Sequence, residues 1–214
     1  MSPAATWLAL AGLGAYHGLN PAMGWLFAVA LGLQEERAGA VLRALPPIAL
    51  GHAASIAIVI ALVTAARLVV PPGVLRAVGA GVLALFGLLI LARRILHPRW
   101  VAMRVGFRDL VGWSFLMSSA HGAGLMLVPL LLHLPDGRRH ALGGHAHALP
   151  GTAATSGVAA LLVHTTSMFL VMGLLALVVY RTVGVDLLRR VWVNLDLVWG
   201  GALLLAAAAT LLLP

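Results

Sequence analysis

The stretch Ala15–Trp25 reads A-Y-H-G-L-N-P-A-M-G-W and lies inside an apolar run from about 6 to 33. Such a run is long enough to cross a bilayer, since roughly 20 apolar residues suffice. Pro21 removes a helix hydrogen bond and clashes with the preceding turn, and Gly18 loosens that turn. The sequence therefore predicts that the helix kinks or breaks between His17 and Pro21, where the freed carbonyls face protein or a polar cavity rather than lipid.

The composition is that of an integral membrane protein. The 214 residues are 62% hydrophobic and 9% charged, with a mean hydropathy of +1.03, whereas soluble domains carry roughly 25% charged residues. The chain has no cysteine, which excludes disulfides and thiolate metal sites. In so apolar a chain, the net charge of +8 indicates membrane topology and anionic lipid headgroups rather than binding of nucleic acid.

Six apolar segments predict a single all-α transmembrane domain, residues 1–214, with six transmembrane helices. The segments lie at about 6–33, 44–66, 77–92, 110–134, 153–180 and 191–213. Pro46 and Pro47 are expected in the first turn of the second helix, where proline is tolerated. Residues 93–108 carry five arginines interleaved with aromatic residues. This pattern is typical of a connector lying on the membrane surface, although a plain basic loop fits it equally.

The arginines also indicate an orientation. Loops one, three and five hold 2, 5 and 3 of them, whereas loops two and four hold 2 each. Basic loops stay on the cytoplasmic side. The sequence therefore predicts a multi-pass protein of the inner (plasma) membrane with both termini outside.

The second half of the chain repeats features of the first. His17-Gly18 aligns with His121-Gly122, and the His-x-x-Ser spacing of 52–55 returns at 164–167. Each half also contains a helix rich in glycine and alanine. Because each half has three helices, an odd number, the two halves must cross the membrane in opposite senses. This is the inverted-repeat design of many transporters, whose site lies at the repeat interface near the midplane.

The repeats are assigned to 4–92 and 109–214, and four histidines are expected to converge between them. The predicted metal ligands are His17, His52, His121 and His164. An ionisable residue in a membrane span predicts a functional site because its burial is costly. Neutral imidazole is also the commonest metal ligand and suits Ni, Co, Zn or Cu. Taken singly, each histidine would fit an interhelical hydrogen bond as well.

Further side chains near these histidines are candidate ligands or ring-orienting groups. They are Asn20, Met23, Ser55, Met117, Ser167, Met168 and Asp196. The serines lie one helical turn from a histidine, and thioethers suit Cu(I), although core packing also accounts for the methionines. Asp196 would complete a cation site or relay protons if it lies deep in its span. In the fourth loop, His140, His145 and His147 suit weak metal capture, or are incidental.

The motif His17-Gly18-Leu19-Asn20-Pro21 resembles the first-helix motif of the nickel/cobalt exporter-permease family, within the lysine-exporter-like superfamily. Gly51-His52 followed by Ser55 is similar to the Gly-His-Ser element of that family's second helix. The resemblance implies six spans in two three-helix repeats and transport of a divalent cation. Where the family has a second histidine, this chain has Met23, without an acidic neighbour, which leaves room for another metal or a non-metal substrate.

The sequence thus predicts a transporter that moves a transition-metal cation through an intramembrane histidine site. No nucleotide-binding motif is present, so an ion gradient or a partner would supply the energy. One alternative is an intramembrane zinc-type metalloenzyme, a hydrolase with Asp196 as general base, although H-E-x-x-H and G-x-S-x-G are missing. Another is an accessory subunit of a larger membrane complex. The expected partners are the lipid bilayer, the metal cation, and either a second copy or a membrane-complex partner.

Overall fold

The computed structural model describes residues 3–92, 106–133, 151–182 and 195–212, which form helices joined by short turns and contain no strand. The α-helices are α1 (Pro3–Leu19), α2 (Trp25–Gln34), α3 (Ala38–Val69), α4 (Pro72–Leu91), α5 (Phe107–Ala120), α6 (Val128–His133), α7 (Gly151–Thr182) and α8 (Leu195–Leu212). Single turns of 3-10 helix, Pro21–Met23 and Leu125–Leu127, precede α2 and α6. Over these residues the predicted all-α fold is confirmed.

Helices α3, α4 and α7 are each long and apolar enough to cross a membrane. Helices α5 and α6 form a fourth candidate span if the bent pair is taken as one, whereas α2 and most of α8 are apolar but shorter. Outward-facing leucines are strongly exposed, as Leu62 (65%), Leu174 (65%) and Leu205 (74%) illustrate. An apolar exterior of this kind fits contact with lipid rather than water. The prediction of an all-α membrane protein is therefore confirmed at this level.

The first apolar run is interrupted where the sequence predicts a break. Helix α1 ends at Leu19, and the chain makes one 3-10 turn before α2. The Asn20 side chain accepts a hydrogen bond from the Ala22 backbone N–H at 3.0 Å and so caps that turn. Gly24 has a φ of 117°, a left-handed conformation that glycine adopts readily. Local residue chemistry therefore determines this break.

A second break divides the segment that the sequence predicts as the fourth span, at about 110–134. Helix α5 ends at Ala120, and the axes of the flanking helices differ by 53°. His121 follows α5, and Gly122 has a φ of 66°. The sequence does not predict this break, because no proline marks the position and the turn depends on glycines instead.

Helix α3 begins earlier than the sequence predicts. It starts at Ala38 rather than near 44, so Pro46 and Pro47 lie inside the helix and not in its first turn. They leave the carbonyls four residues earlier, at Leu42 and Arg43, without their usual helical donors. Both carbonyls are close to the helix end, where such groups are more easily satisfied than in the middle of a span.

The turn between α2 and α3 is held by a small ionic cluster. Glu35 forms salt bridges with Arg37 at 2.5 Å and with Arg43 at 2.7 Å. The hydrogen bond from Arg37, together with the charges of both arginines, lowers the pKa of the Glu35 carboxyl. The cluster is exposed, so it orders the turn rather than forming a buried site.

Helix packing brings distant segments of the chain together. Helix α1 packs against α7, α5 against α3, and α4 against α8, while α3 and α7 also contact each other. Two glycines allow the first two pairs to approach closely. A Cβ on Gly14 would overlap the His164 backbone carbonyl, and a Cβ on Gly51 would overlap the Val111 carbonyl. These contacts place the middle of α3 and α7 beside the end of α1.

Several predicted features lie outside the described residues. They are residues 93–105 of the connector, the fourth loop with His140, His145 and His147, and the first residues of the sixth span. Gly106–Arg108, the end of the predicted connector, are described, and α5 already begins at Phe107. The Gly106 backbone N–H donates to Asp109 at 2.8 Å, which stabilises that helix start.

Candidate metal centre

Three histidines from three different helices meet inside the bundle. His17 lies in the last turn of α1, directly before the break, whereas His52 and His164 lie near the centres of α3 and α7. At 1.5 Å per residue, His52 is about 21 Å from the start of its helix and His164 about 20 Å from the start of its own. We call His17, His52 and His164 the histidine triad.

The triad is compact and fully buried. Relative exposures are 0%, 1% and 0% for His17, His52 and His164. One ring nitrogen from each residue lies within 4.8 Å of the other two. The His17 ring is T-shaped to both others, with centroid distances of 5.3 Å to His52 and 4.8 Å to His164. The rings of His52 and His164 are nearly parallel at 5.7 Å.

The hydrogen bonds of His17 determine which of its nitrogens is free. Its Nδ1–H donates to the Leu13 carbonyl at 2.7 Å, because a carbonyl oxygen only accepts. Nε2 then carries the lone pair, and this atom is buried without a hydrogen-bond partner. A buried acceptor with no donor is costly unless a proton donor or a cation occupies the space beside it.

His52 is oriented by a residue from the opposite half of the chain. Its Nδ1 is 3.1 Å from the Ser118 Oγ of α5, and Ser118 is buried. We expected Ser55, one turn along α3, to orient this ring. Ser55 is instead hydrogen-bonded to Ser119 at 2.9 Å, so in this structure Ser118 and not Ser55 contacts the His52 ring.

His164 completes the triad. Its Nε2 lies 3.4 Å from the Nε2 of His52. Its Nδ1 is buried without a hydrogen-bond partner. Ser167, expected to orient this ring, donates to the Ala11 carbonyl at 2.7 Å instead and so ties α7 to α1.

The spacing of the triad suits a metal ion. Bonds of about 2.0–2.1 Å from a tetrahedral metal to two imidazoles separate the two nitrogens by about 3.3 Å. The distance of 3.4 Å between His52 and His164 already matches this value, whereas it is long for a protein hydrogen bond. The third nitrogen is within 4.8 Å of both, and a small rotation of the His17 ring shortens such a distance. The three buried histidines are therefore close enough to hold a metal ion.

The fourth predicted ligand, His121, does not join the triad. It is buried, and its Nδ1–H donates to the Met117 carbonyl at 2.8 Å. The indole of Trp199 contacts both His17 and His121, with centroid distances of 4.9 and 5.6 Å. Trp199 also donates its Nε1–H to the His121 carbonyl and stacks on Tyr16. This tryptophan separates His121 from the triad, so the role of His121 as a ligand stays a prediction.

The remaining candidates occupy structural positions or lie outside the described side chains. Asn20 caps the 3-10 turn at the first break. Met23, Met117 and Met168 are buried, with exposures of 2%, 7% and 0%, in the apolar packing around the site. The Asp196 backbone belongs to α8, but its side chain lies outside the described part of the structure.

Sequence reasoning missed two residues that shape the site. Ser118 was visible in the segment Ser118-Ser119-Ala120-His121, but nothing local associates it with His52, 66 positions away. Trp199 was visible as one of the tryptophans of the last span. Its place between two histidines depends on how α8 packs, for which the sequence carries no signal.

Replacement of Ser118 by alanine should lower the affinity of the site for a transition metal by about 10–100-fold, because the hydroxyl fixes the orientation and tautomer of the His52 ring. Ser118→Thr keeps a hydroxyl and should restore most of the affinity. Ser119→Ala removes a neighbouring hydroxyl that contacts Ser55 and should have a smaller effect. Metal titration of the purified variants checks this, and equal affinities for Ser118→Ala and Ser119→Ala would contradict it.

Comparison of the chain with models of known protein families, with curated proteins and with solved structures finds no match. The resemblance to the nickel/cobalt exporter-permease family stays a prediction, and the functional argument depends on the site itself.

Proposed function

We propose that this protein is a membrane transporter that moves a transition-metal cation through the histidine triad. One observation carries the proposal: three fully buried imidazoles from α1, α3 and α7 bring their ring nitrogens within 4.8 Å of one another. Burial of three polar rings in an apolar bundle is costly unless they are used. The cost of burying these rings is offset when a cation binds the lone pairs of their nitrogens.

The proposal includes six spans arranged as two inverted repeats. Helix α1, α5 and their short continuations would be the first span of each half, α3 and α7 the second, and α4 and α8 the third. The pairing of α1 with α7 and of α5 with α3 supports this, because a two-fold axis relating the halves exchanges those two contacts. Helices α3 and α7 are both 32 residues long and carry their histidines near the middle.

The two helix breaks also support a transport function. The first directly follows the His-Gly pair at 17–18, and the second contains the pair at 121–122. Many transporters use interrupted helices near the membrane midplane, where one repeat rocks against the other and exposes the site to each side in turn. In this proposal α1, which ends at the triad, moves relative to α3 and alternately opens the site. An ion gradient or a partner supplies the energy.

We further propose that the protein resides in the inner (plasma) membrane with both termini outside. The arginine-rich first, third and fifth loops then face the cytoplasm. The exposed cluster of Glu35 with Arg37 and Arg43 would lie on that side.

A zinc-type hydrolase is the second candidate, because three histidines leave one metal position open, as catalytic zinc sites do. A hydrolase also needs water and a general base at the metal. The described acidic side chains are Glu35, Glu36 and Asp109, all exposed in turns or at a helix start rather than at the triad. An accessory subunit with structural histidines would not require three of them to converge. The geometry therefore supports transport best.

The test is the metal content of the purified protein, measured by mass spectrometry after loading with transition metals. We expect one ion per chain, lost in the variant with His17, His52 and His164 all replaced by alanine. His121→Ala, a buried histidine outside the triad, is the matched control and should retain the ion. A bound ion followed by flux into proteoliposomes supports a transporter, and a bound ion with hydrolytic turnover but no flux supports the enzyme. No bound ion under any loading condition would overturn both.

A further inference from the structure

The chemistry around the triad is neutral and soft. In the part of the chain that the structure describes, the buried polar side chains are Thr6, His17, Asn20, His52, Ser55, Ser114, Ser118, His121, His164 and Thr210. None of these is an acid. Among the described side chains, therefore, no buried carboxylate compensates the charge of a cation bound at the triad.

This lack of compensation discriminates strongly between monovalent and divalent ions. The cost of moving an ion from water into a medium of low dielectric constant rises with the square of its charge. A divalent ion therefore costs about four times as much as a monovalent ion of the same size. Sites that hold divalent metals in proteins usually include carboxylates, thiolates or bound water that offset this cost.

The number and kind of donors in the triad also favour a monovalent ion. Three imidazoles hold Zn only with water or another group in the fourth tetrahedral position, and octahedral ions need still more donors. Cu(I) is a closed-shell ion that accepts two or three donors and needs no additional water. Three nitrogens around one ion in a plane, at bonds of about 2.0 Å, are about 3.5 Å apart. The 3.4 Å between His52 and His164 fits this arrangement as well as it fits the tetrahedral one.

The surroundings of the triad are polarizable. Met168 lies one turn beyond His164 on α7, Met172 follows one turn later, and both are completely buried. The Trp199 indole lies against His17 in a T-shaped arrangement with a centroid distance of 4.9 Å. Thioethers favour Cu(I) over harder ions, and an aromatic face attracts a cation that has lost its water.

We infer that the cation which the triad binds and transports is monovalent and soft, namely Cu(I), for which Ag(I) is a redox-inert analogue. This inference rests on the proposed function and narrows it from transition metals in general to one class of ion. It departs from the divalent cargo that the resemblance to exporter-permeases implies.

The experiment is a competition for the intact protein in detergent under anaerobic conditions. Equal concentrations of Ag(I), Zn(II), Ni(II) and Co(II) are equilibrated with the protein, and bound metal is counted after desalting. A parallel titration supplies Cu(I) from a chelator of known affinity. We expect one Ag(I) or Cu(I) per chain, at least about 100-fold preferred over Zn(II), and X-ray absorption with nitrogen neighbours typical of imidazole.

His52→Ala identifies the ion that belongs to the triad, because His140, His145 and His147 remain in that variant and can bind metal elsewhere in the chain. The ion lost on this substitution should be Ag(I) or Cu(I). If Zn(II), Ni(II) or Co(II) is the ion lost, the inference is overturned while the proposed site stands. If this substitution removes no ion, both the inference and the proposed function fail.

Discussion

Replacement of His52 by alanine should abolish cation transport and leave the protein folded. The reason is that His52 supplies one of only three donors in the triad and lies 3.4 Å from the donor atom of His164. Loss of groups that merely orient a metal ligand costs about 10–100-fold in affinity. Loss of the ligand itself should therefore reduce the affinity by more than about 100-fold. At limiting cation concentration, flux into proteoliposomes should then fall to the level of empty vesicles.

The fold should survive because His52 contributes only its hydrogen bond with Ser118 and its ring contacts with His17 and His164. The substitution leaves Ser118 without its partner, which costs about 1–3 kcal/mol. Helices α3 and α5 remain attached through the Ser114 hydroxyl, which donates to the Ile48 carbonyl at 2.6 Å. We therefore expect a moderate decrease of the unfolding temperature in detergent, without loss of helical circular dichroism.

His164→Ala should behave like His52→Ala, and His121→Ala should transport nearly as well as the unmodified protein. His121 is also a fully buried histidine of the bundle, although it lies at a helix break and His52 and His164 lie within helices. Normal flux in His52→Ala or in His164→Ala would show that the triad is not needed for transport. An equal loss of transport in His121→Ala would show that His121 belongs to the site. That would require a conformational change that moves His121 past Trp199.

The first helix break was predictable because its cause is local. Pro21 cannot continue a helix, Asn20 caps the next turn, and both are visible in the sequence. The second break depends on Gly122, and a glycine in an apolar segment is more often a packing residue than a turn. A glycine in an apolar segment can therefore be read as a packing contact or as a turn, and only the packing of the surrounding helices decides which it is.

The histidine triad was predictable in part for a similar reason. The repeated His-x-x-Ser spacing associates His52 with His164, and the structure brings these two together. The sequence could not exclude His121, because its separation from the triad depends on the packing of Trp199. It also favoured Ser55 as the partner of His52, because helical spacing reveals neighbours within a helix only. Because Gly51 has no side chain, α5 packs so closely against α3 that Ser118 lies within hydrogen-bond distance of His52.

The second large effect is expected from adding one methyl group to α1. Gly14 faces α7, where a Cβ would overlap the His164 backbone carbonyl and lie 3.0 Å from the Ser167 Cβ. A backbone carbonyl inside a helix cannot rotate away, so α1 and α7 must separate. Overpacking of this kind costs about 1–3 kcal/mol, or more where the backbone has to shift. Gly14→Ala should therefore lower the unfolding temperature markedly.

Gly12→Ala is the matched control for this substitution. Gly12 lies two residues earlier on the same helix, and a Cβ there meets nothing within 4 Å. Since alanine is the better helix former, this variant should be as stable as the unmodified protein or slightly more so. Thermal unfolding of both variants in the same detergent measures the difference, and equal unfolding temperatures would show that α1 and α7 are not packed this closely.

Gly14→Ala should also weaken metal binding, and that effect ties the packing of the helices to the site. His17 lies on α1 three residues after Gly14, whereas His164 lies on α7, so separation of the two helices moves the two rings apart. The triad tolerates little movement because its ligand atoms already span up to 4.8 Å. We expect Gly14→Ala to lose bound metal at temperatures where its helical circular dichroism is still intact. Full metal occupancy in a folded Gly14→Ala protein would mean that the triad does not depend on close contact between α1 and α7.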